Sequence, residues 1–387
     1  MTSKIYADNS ATTAVSEKAL SAMLPCFREN FGNPSAIYSY GQEAKNVLEN
    51  SRKIIGKAIG ALNNEIYFTS GGTESDNWAI YSACELKSKI GKHIVSTAIE
   101  HNAILRTLEK IQGLGYEITL LSPDKNGRIS PEQLEKAIRN DTVLVSIMMA
   151  NNVVGTVLPI KELCAVAHKH NIIFHTDAVQ AAAHIPIDVR NLGVDLLSIS
   201  AHKFHGPKGA GAMFLKIPLI PTAYITGGGQ EKGRRSGTEN VAGIAGMSAA
   251  IEEGVENLEG NAKYLTALRD KLIEYTLKIP GAYLTGDPVN RLPGHASFVF
   301  EGVKQSVYLI NMLNDEGICA SSGSACSASS KEAPHVLKSL GYDDEISHSA
   351  LRISLSHYNT EKEIGIINEK LPRIITELRK GKGPPII

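Results

Sequence analysis

Short apolar runs alternate with helix-like segments along the middle of the chain, from about residue 60 to residue 217. Each run has the length of a strand, and each intervening segment is long enough for a helix, which is the pattern of βαβ units. Crossover helices cover both faces of such a sheet, so its strands are continuously apolar. The pattern therefore predicts the α/β class, with a mostly parallel sheet whose strands lie at residues 65–69, 93–97, 118–122, 142–149, 172–175, 196–200 and 211–216.

The pattern changes after this region. A glycine-rich segment at 227–240 is followed by a long helical pattern from about 241 to 279, with an interruption near Gly260. The rest of the chain predicts a smaller, mixed α+β region with a strand at 296–300 and helices at 305–313 and 360–379.

One lysine, Lys203, comes just after the apolar run that ends at Ser200, with His202 directly before it. A lysine in a partly dry pocket loses some preference for its charged form and can form an imine with an aldehyde cofactor. Asp177 ends another apolar run, where a carboxylate facing a pyridine nitrogen would keep that nitrogen protonated. Each residue alone has an ordinary explanation, an exposed lysine or a capping aspartate. Together they predict a site for pyridoxal phosphate (PLP).

A phosphate cradle is predicted where the first strand of the sheet meets the helix after it. Gly71 and Gly72 form a turn there, followed by Thr73. Backbone N–H groups at a helix start bind anions, and small residues let a phosphate approach closely. Thr73 would add one hydroxyl and Ser200 a second. Many α/β proteins contain such a turn, so it becomes specific only in combination with the lysine and the aspartate.

Three further side chains suit an amino-acid substrate. Cys326 lies among small polar residues at 320–330, which predicts an accessible thiol, whereas structural cysteines are usually buried. Arg352 lies in a strand-like pattern, and its planar guanidinium suits a bidentate grip on an α-carboxylate. His101, at another strand end, has the chemistry to stack on a pyridine ring and move protons. An incidental thiol, a solvent-exposed edge arginine and a structural histidine are the alternatives.

Composition excludes several other classes. The chain has 387 residues, with 40 Lys and Arg against 40 Asp and Glu, so no charge excess points to nucleic acid or an anionic membrane. No apolar run has the length of a membrane span and the N-terminus has no signal-peptide profile, so we expect a cytoplasmic protein. The five cysteines are odd in number and lack metal-ligand spacing, which argues against a disulfide framework and against a metal site: Cys26, Cys84, Cys164, Cys319 and Cys326.

The candidate residues fall in ten short segments that, in order, resemble those of the cysteine desulfurases of the NifS/IscS type. The segments are residues 6–13, 32–35, 69–75, 100–101, 151–152, 177–180, 200–203, 235–238, 321–326 and Arg352. This family belongs to the fold-type I, aspartate-aminotransferase-like PLP enzymes. The resemblance implies a large PLP-binding domain at 15–258. It also implies a small domain formed by 1–14 and 259–387, with a catalytic-cysteine loop at about 320–333.

The resemblance also implies a role for each candidate residue. Lys203 would hold PLP covalently, Asp177 would pair with the ring nitrogen, and Cys326 would attack the substrate sulfur. Gly72, Thr73, Ser200 and His202 would bind the phosphate, and Thr238 would complete the phosphate site of the other subunit of a homodimer. Gln180 and Asn152 would contact the ring's phenolic oxygen and the substrate, and Arg352 would bind the substrate carboxylate. His101 would stack on the ring and move protons.

The reaction implied is the conversion of L-cysteine to L-alanine, with the sulfur left on Cys326 as a persulfide. The sulfur would then pass to an acceptor protein, either an iron–sulfur scaffold or an enzyme of tRNA or cofactor thiolation. By comparison with the family, we expect no long C-terminal tail of the kind with which housekeeping relatives dock the scaffold, so both kinds of acceptor stay open.

Two other hypotheses remain. The first is another fold-type I enzyme, an aminotransferase or a selenocysteine lyase; Cys326 argues against it, because transamination needs no thiol. The second is a non-catalytic partner protein that keeps the fold. The joint presence of Lys203, Asp177, Cys326 and Arg352 argues against that.

Overall fold

The structure, a computed structural model, describes residues 4–323 and 334–381 of the chain. The strands are β1 (Ile5–Tyr6), β2 (Ile66–Thr69), β3 (His93–Thr97), β4 (Glu117–Leu121), β5 (Thr142–Ser146), β6 (Ile173–Asp177), β7 (Leu196–Ser200), β8 (Gly211–Leu215), β9 (Ala282–Leu284), β10 (His295–Phe300), β11 (Ile318–Cys319) and β12 (Leu351–Ser354). The α-helices are α1 (Glu17–Arg28), α2 (Ser39–Ile59), α3 (Gly72–Leu86), α4 (Asn102–Gln112), α5 (Pro131–Ala137), α6 (Ile160–Lys169), α7 (Val189–Leu192), α8 (Gln230–Gly233), α9 (Val241–Glu256), α10 (Leu258–Thr276), α11 (Ser306–Asp315), α12 (His335–Ser339), α13 (Asp344–Ser347) and α14 (Glu361–Arg379). Short 3₁₀ turns lie at Asn63–Glu65 and Ala201–Lys203.

The described residues contain a seven-stranded sheet in the order β2-β8-β7-β6-β5-β3-β4. Strands β7, β6, β5, β3 and β4 pair in parallel, whereas β8 runs antiparallel to both of its neighbours. All seven strands predicted from the apolar runs are present, and the mostly parallel sheet is confirmed. Asp177 pairs with Ser198 across β6 and β7, so their carboxyl ends, and the residues that follow them, lie at one edge of the sheet.

Helices cover both faces of this sheet. Leu197 of β7 packs in one core with side chains of α2, α6 and α9, and the adjacent Leu196 packs in the opposite core with side chains of α3 and α4. Because successive strand residues point to opposite faces, burial on both faces explains why these strands are continuously apolar. Among the described residues, no helix combines the length and apolar character needed to cross a membrane.

The long helical pattern breaks earlier than predicted. Helix α9 ends at Glu256 and α10 begins at Leu258, so the interruption falls at Asn257, and Gly260 lies inside α10. The Asn257 side-chain amide donates a hydrogen bond of 2.8 Å to the Glu253 carbonyl oxygen, which also accepts the Asn257 backbone N–H at 3.2 Å. The interruption predicted near Gly260 is therefore present a few residues earlier, where an asparagine that bonds to the backbone ends the helix.

A second core forms around the C-terminal half. Strands β12, β10 and β9 form an antiparallel sheet, and β1 pairs in parallel with β11. Ile5 and Ala7 of the N-terminal segment pack with apolar side chains of α10, α11 and α14 in this core. The domain boundaries at residues 14/15 and 258/259 stay a prediction.

Candidate active site

A cavity of about 660 Å³ opens at the carboxyl edge of the seven-stranded sheet. Ten of the twelve residues expected at the site line this cavity: Gly72, Thr73, His101, Asn152, Asp177, Gln180, Ser200, His202, Lys203 and Arg352. Thr238 is exposed and is not among the lining residues. Cys326 lies outside the described residues.

Lys203 comes at the end of the 3₁₀ turn that follows β7. Its Nζ donates hydrogen bonds to the carbonyl oxygens of Ser10 and Ala11, at 2.7 Å each. His184 Nε2 lies 2.9 Å from the Lys203 carbonyl oxygen, which fixes the backbone of the turn. The amine is therefore held at the cavity by the N-terminal segment, which the apolar runs gave no reason to place there.

Asp177 ends β6 and is 5% exposed. Its Oδ1 accepts a hydrogen bond of 2.8 Å from the Val179 N–H. Burial raises the pKa of Asp177, while the nearby His101, the Val179 hydrogen bond and the positive charge of Lys203 counteract that rise. A cation placed beside this carboxylate would stabilise its ionised form further.

His101 caps the N-terminus of α4. Its Nδ1 accepts a hydrogen bond of 3.1 Å from the Ala103 N–H, so the proton of the neutral imidazole belongs on Nε2. Desolvation lowers the pKa of His101, and the charge of Lys203 adds to this, whereas Asp177 opposes it. The ring is therefore held neutral in one tautomer, as a proton-transferring group requires.

The turn before α3 is shaped to receive an anion. Gly71 has a φ of +152°, which only glycine adopts readily, and a Cβ on Gly72 would come within 2.6 Å of Val179 Cγ2. The first N–H groups of α3 have no partner within the helix, and Thr73 and Ser200 line the cavity beside them. A phosphate at this position would meet backbone donors, two hydroxyl groups and the positive end of the helix dipole.

His202 lies at the same wall. Its Nδ1 is 3.1 Å from Thr12 Oγ1, and burial together with the charges of Lys203 and Lys208 lowers its pKa to about 4. The ring is therefore neutral near pH 7 and can donate one hydrogen bond to an anion without adding a charge.

Arg352, on β12, is 2% exposed and has an anionic partner that the sequence did not reveal. Its Nη2 lies 2.6 Å from Asp8 Oδ1, and its Nη1 donates to the carbonyl oxygens of Asn152 and Gly323 at 2.8 and 2.5 Å. Its Nε is buried without a hydrogen-bond partner among the described residues. One edge of the guanidinium is thus held by protein, and an N–H remains for a ligand.

Sequence reasoning missed three carboxyl groups. Asp8 holds Arg352, while Asp76 and Glu100 line the cavity near Asp177. Each lies within or next to a segment that carries the family resemblance: 6–13, 69–75 and 100–101. This position was the only feature of the sequence that could have indicated the three carboxyl groups, because the residues that they contact come from distant parts of the chain.

These groups fit PLP by the chemistry of their donors. An amine, Lys203, suits the aldehyde, and the buried Asp177 carboxylate suits a protonated ring nitrogen. The start of α3, where the side chain of any residue but glycine would collide with Val179, suits the phosphate. All three lie around the same cavity.

Comparisons with known proteins agree with this site. The family described as aminotransferase class-V matches residues 5–367. A cysteine desulfurase IscS of Methanosarcina thermophila is 48% identical over 375 residues, which cover 97% of this chain and 93% of the relative. A cysteine desulfurase NifS of Azotobacter vinelandii is 41% identical over 388 residues, covering 98% and 96% of the two chains. A solved structure described as a NifS-like protein matches with a TM-score of 0.90 at 38% identity, covering 96% of this chain and 99% of that one.

The chain therefore belongs to the class-V aminotransferase family, and within it to the cysteine desulfurases, which are PLP-dependent enzymes. The predicted fold class is confirmed by the same matches. The individual site residues, including those that line the cavity, keep their roles as predictions.

Proposed function

We propose that the cavity at the carboxyl edge of the sheet converts L-cysteine to L-alanine and leaves the substrate sulfur on Cys326 as a persulfide. The observation that carries this proposal is the convergence of Lys203, Asp177 and Arg352 on one cavity. An amine for a cofactor aldehyde, an acid for a ring nitrogen and a cation for an α-carboxylate are the groups that a PLP enzyme for amino acids needs.

The residues around the cavity have different proposed roles in the reaction. Bound PLP supplies an electron sink that labilises bonds at and next to the substrate α-carbon. Asp177 holds the proton of the ring nitrogen in place. Lys203 and His101 both line the cavity where protons are removed and returned, and the Nε2–H of the neutral His101 ring can donate a proton there.

Cys326 is the proposed nucleophile. Its thiolate attacks the substrate sulfur, so that an S–S bond forms as the substrate Cβ–S bond breaks, and the bonding electron pair stays with carbon until a proton completes alanine. The last described residue before it, Gly323, lines the cavity and is bonded to Arg352. Three peptide units separate the two residues and span roughly 10 Å at most, a length that permits the proposed attack in the cavity.

Arg352 and Asn152 are the proposed substrate-binding residues. The unpartnered Nε of Arg352 is the group on which a carboxylate would bind. Asp8 already supplies one negative charge to this guanidinium, so a substrate carboxylate would add a second anion. Substrate affinity therefore depends on the balance between the two.

We therefore predict that substitution of Arg352 and substitution of Asp8 change the KM for cysteine in opposite directions. Arg352→Ala should raise the KM for cysteine by at least about tenfold, because a charge-assisted hydrogen bond to the carboxylate is lost. Asp8→Asn should destabilise the free protein by on the order of 3 kcal/mol, because a buried cation loses its anion. The same change should lower the KM, because the substrate then supplies the missing charge. Steady-state kinetics and urea unfolding measure the two effects, and a raised KM in both variants would contradict this account.

The proposed reaction is tested by incubating the PLP-loaded protein with L-cysteine and a thiol reductant. Alanine and sulfide should appear in equal amounts, because each turnover yields one of each. A keto acid instead of alanine would indicate an aminotransferase. Turnover of selenocysteine but not of cysteine would indicate a selenocysteine lyase, and no turnover of either would favour the non-catalytic hypothesis.

The persulfide requires a sulfur-acceptor protein, for which we propose either an iron–sulfur scaffold or a thiolation enzyme. The cytoplasmic location expected from the sequence likewise stays a prediction.

We also propose a homodimer in which Thr238 reaches the phosphate site of the partner. Large apolar side chains are exposed from the last turn of α1 to the start of α2, among them Phe27, Phe31 and Ile37, the last being 93% exposed. An apolar surface of this kind favours a protein partner. The exposed position of Thr238, away from the cavity of its own chain, agrees with a role in another subunit. Light scattering at micromolar concentration distinguishes the dimer from a monomer.

A further inference from the structure

Three carboxyl groups meet on one wall of the active-site cavity, although the reaction needs only one of them as an anion. Asp177 and Asp76 are 5% and 1% exposed, and Glu100 is 1% exposed. The charge of Asp177 raises the pKa values of both other groups. Three carboxylates so close together in a buried site would repel one another strongly, so the protons must be distributed unequally.

Asp76 lies in a setting that favours a neutral carboxyl group. Its Oδ1 is buried without a hydrogen-bond partner among the described residues. The nearest basic group is His175 Nε2, 3.7 Å away, and burial lowers the pKa of His175 to about 3, so that ring carries no charge near pH 7. Burial raises the pKa of Asp76 well above its ordinary value. An ionised carboxylate with one bare oxygen and no cation would carry a large desolvation cost, whereas a protonated one would not.

A chain of hydrogen bonds can accept the proton of Asp76. A hydrogen bond with Ser198 lowers the pKa of Asp76 against the larger effect of burial; Ser198 Oγ lies 3.0 Å from His175 Nε2, and His175 Nδ1 lies 2.9 Å from Ser146 Oγ. If Asp76 is protonated, it donates to Ser198, Ser198 donates to Nε2, and Nδ1–H donates to Ser146. Every proton in the chain then has an acceptor, and the bare Oδ1 is a carbonyl oxygen rather than half of a carboxylate.

Glu100 shows the same asymmetry between its two oxygens. Oε1 accepts hydrogen bonds from Thr97 Oγ1 at 2.7 Å and from the Met148 N–H at 3.0 Å, whereas Oε2 is buried without a partner. The two donors to Oε1 lower the pKa of Glu100, but an ionised Glu100 would leave Oε2 charged and buried with no donor among the described residues. Burial is the main cause that raises the pKa of Glu100 to about 8.

Asp177 differs from both groups because it has a backbone donor and lies near a cation. The Val179 N–H and the positive charge of Lys203 both favour its ionised form. We propose that Asp76 and Glu100 are protonated, neutral carboxyl groups that leave Asp177 as the only anion on this wall. Both are thereby positioning residues that act on the cofactor's ring nitrogen through Asp177. Were Asp76 ionised, its charge would favour a proton on Asp177, and Asp177 could not accept the hydrogen of a protonated ring nitrogen. This inference rests on the proposed PLP chemistry of the cavity.

Infrared difference spectroscopy of the PLP-loaded, full-length protein tests the protonation directly, because a protonated carboxyl group has a C=O stretching band that carboxylates lack. Near pH 6.5 the wild-type protein should show this band, Asp76→Asn should lose one part of it, and Glu100→Gln should lose another. Both substitutions keep the size and the hydrogen-bonding shape of a protonated acid. The matched control is the exposed Asp315→Asn, which makes the same change outside the cavity and should leave the band unchanged.

Two results would overturn the inference. One is a wild-type spectrum without a protonated-carboxyl band, which needs no variant to fold. The other is a band that keeps its full wild-type intensity in both Asp76→Asn and Glu100→Gln.

The pH dependence of unfolding gives a second measurement. The pKa of Glu100 in the folded protein, about 8, lies above the ordinary carboxyl value that applies in the unfolded chain. The folded state therefore binds the extra proton, and its stability falls as the pH rises from the ordinary value through about 8. Glu100→Gln cannot lose this proton, so its unfolding midpoint should rise relative to wild type across that window. A difference that stays constant with pH would contradict a protonated Glu100.

Other groups around the two carboxyls titrate as well, so the variants are compared with wild type at each pH. The titratable groups that face them from the packed elements are Asp177, His175, His101, Lys203 and His335. Neither measurement depends on turnover. A negative result would therefore leave the desulfurase reaction standing, and a failure to form alanine and sulfide would leave the protonation result standing.

Discussion

We expect the Lys203→Ala protein to fold, to lose the covalent attachment of PLP and to lose cysteine turnover by roughly a thousandfold or more, the scale of losing an acid–base group and a covalent group together. The side chain is half-buried at the cavity, and its Nζ bonds to two carbonyl oxygens of the N-terminal segment. Loss of these bonds should loosen that segment without disturbing the buried strands of the sheet.

Borohydride reduction followed by peptide mass spectrometry measures the attachment. The reduced cofactor should be found on the peptide that contains Lys203 in wild type and on no lysine in the variant. Lys208→Ala is the matched control, since Lys208 is an exposed lysine five residues along the same segment. If reduced cofactor remains bound covalently to Lys203→Ala, the assignment of this lysine is wrong.

The sequence was sufficient to predict the sheet and the meeting of Asp177 with Lys203. Both follow apolar runs that form adjacent parallel strands, β6 and β7. Parallel neighbours place their carboxyl ends at one edge, so a correct prediction of two strands brings the two side chains together. The same reasoning placed Gly72 and Ser200 near them, because β2 and β7 lie on either side of β8.

Contacts that depend on packing between distant segments could not be predicted. Asp8 meets Arg352 because the residues after β1 bridge to Ser354 of β12, and nothing in the local pattern of either residue indicates the other. Asp76 lies on α3, and the apolar pattern of that helix does not indicate that this one polar residue lines the cavity. The helix break at Asn257 involves one side-chain hydrogen bond. The composition of this segment does not indicate whether the helix breaks at Asn257 or at Gly260.

The described cysteines differ sharply in their suitability as nucleophiles. Burial raises the pKa values of Cys84 and Cys164 to about 12, so neither forms a thiolate near pH 7. Burial raises the pKa of Cys26 as well. Cys319 is half-buried on β11, near the strand that carries Arg352, and is therefore the strongest rival to Cys326 among the described residues.

We therefore predict that Cys326→Ser retains bound PLP and binds cysteine, but loses alanine and sulfide production by at least about a hundredfold, because a serine hydroxyl is almost wholly protonated near neutral pH. Lys203, Asp177 and Arg352 are unchanged in this variant, so the absorption change on adding cysteine should persist. Cys319→Ser is the matched control and should remain active. Mass spectrometry of wild type after cysteine and before reductant should find one extra sulfur on the peptide with Cys326. Extra sulfur on Cys319 would mean that the nucleophile is misassigned, whereas equal alanine production by wild type and Cys326→Ser would remove the thiol from the mechanism.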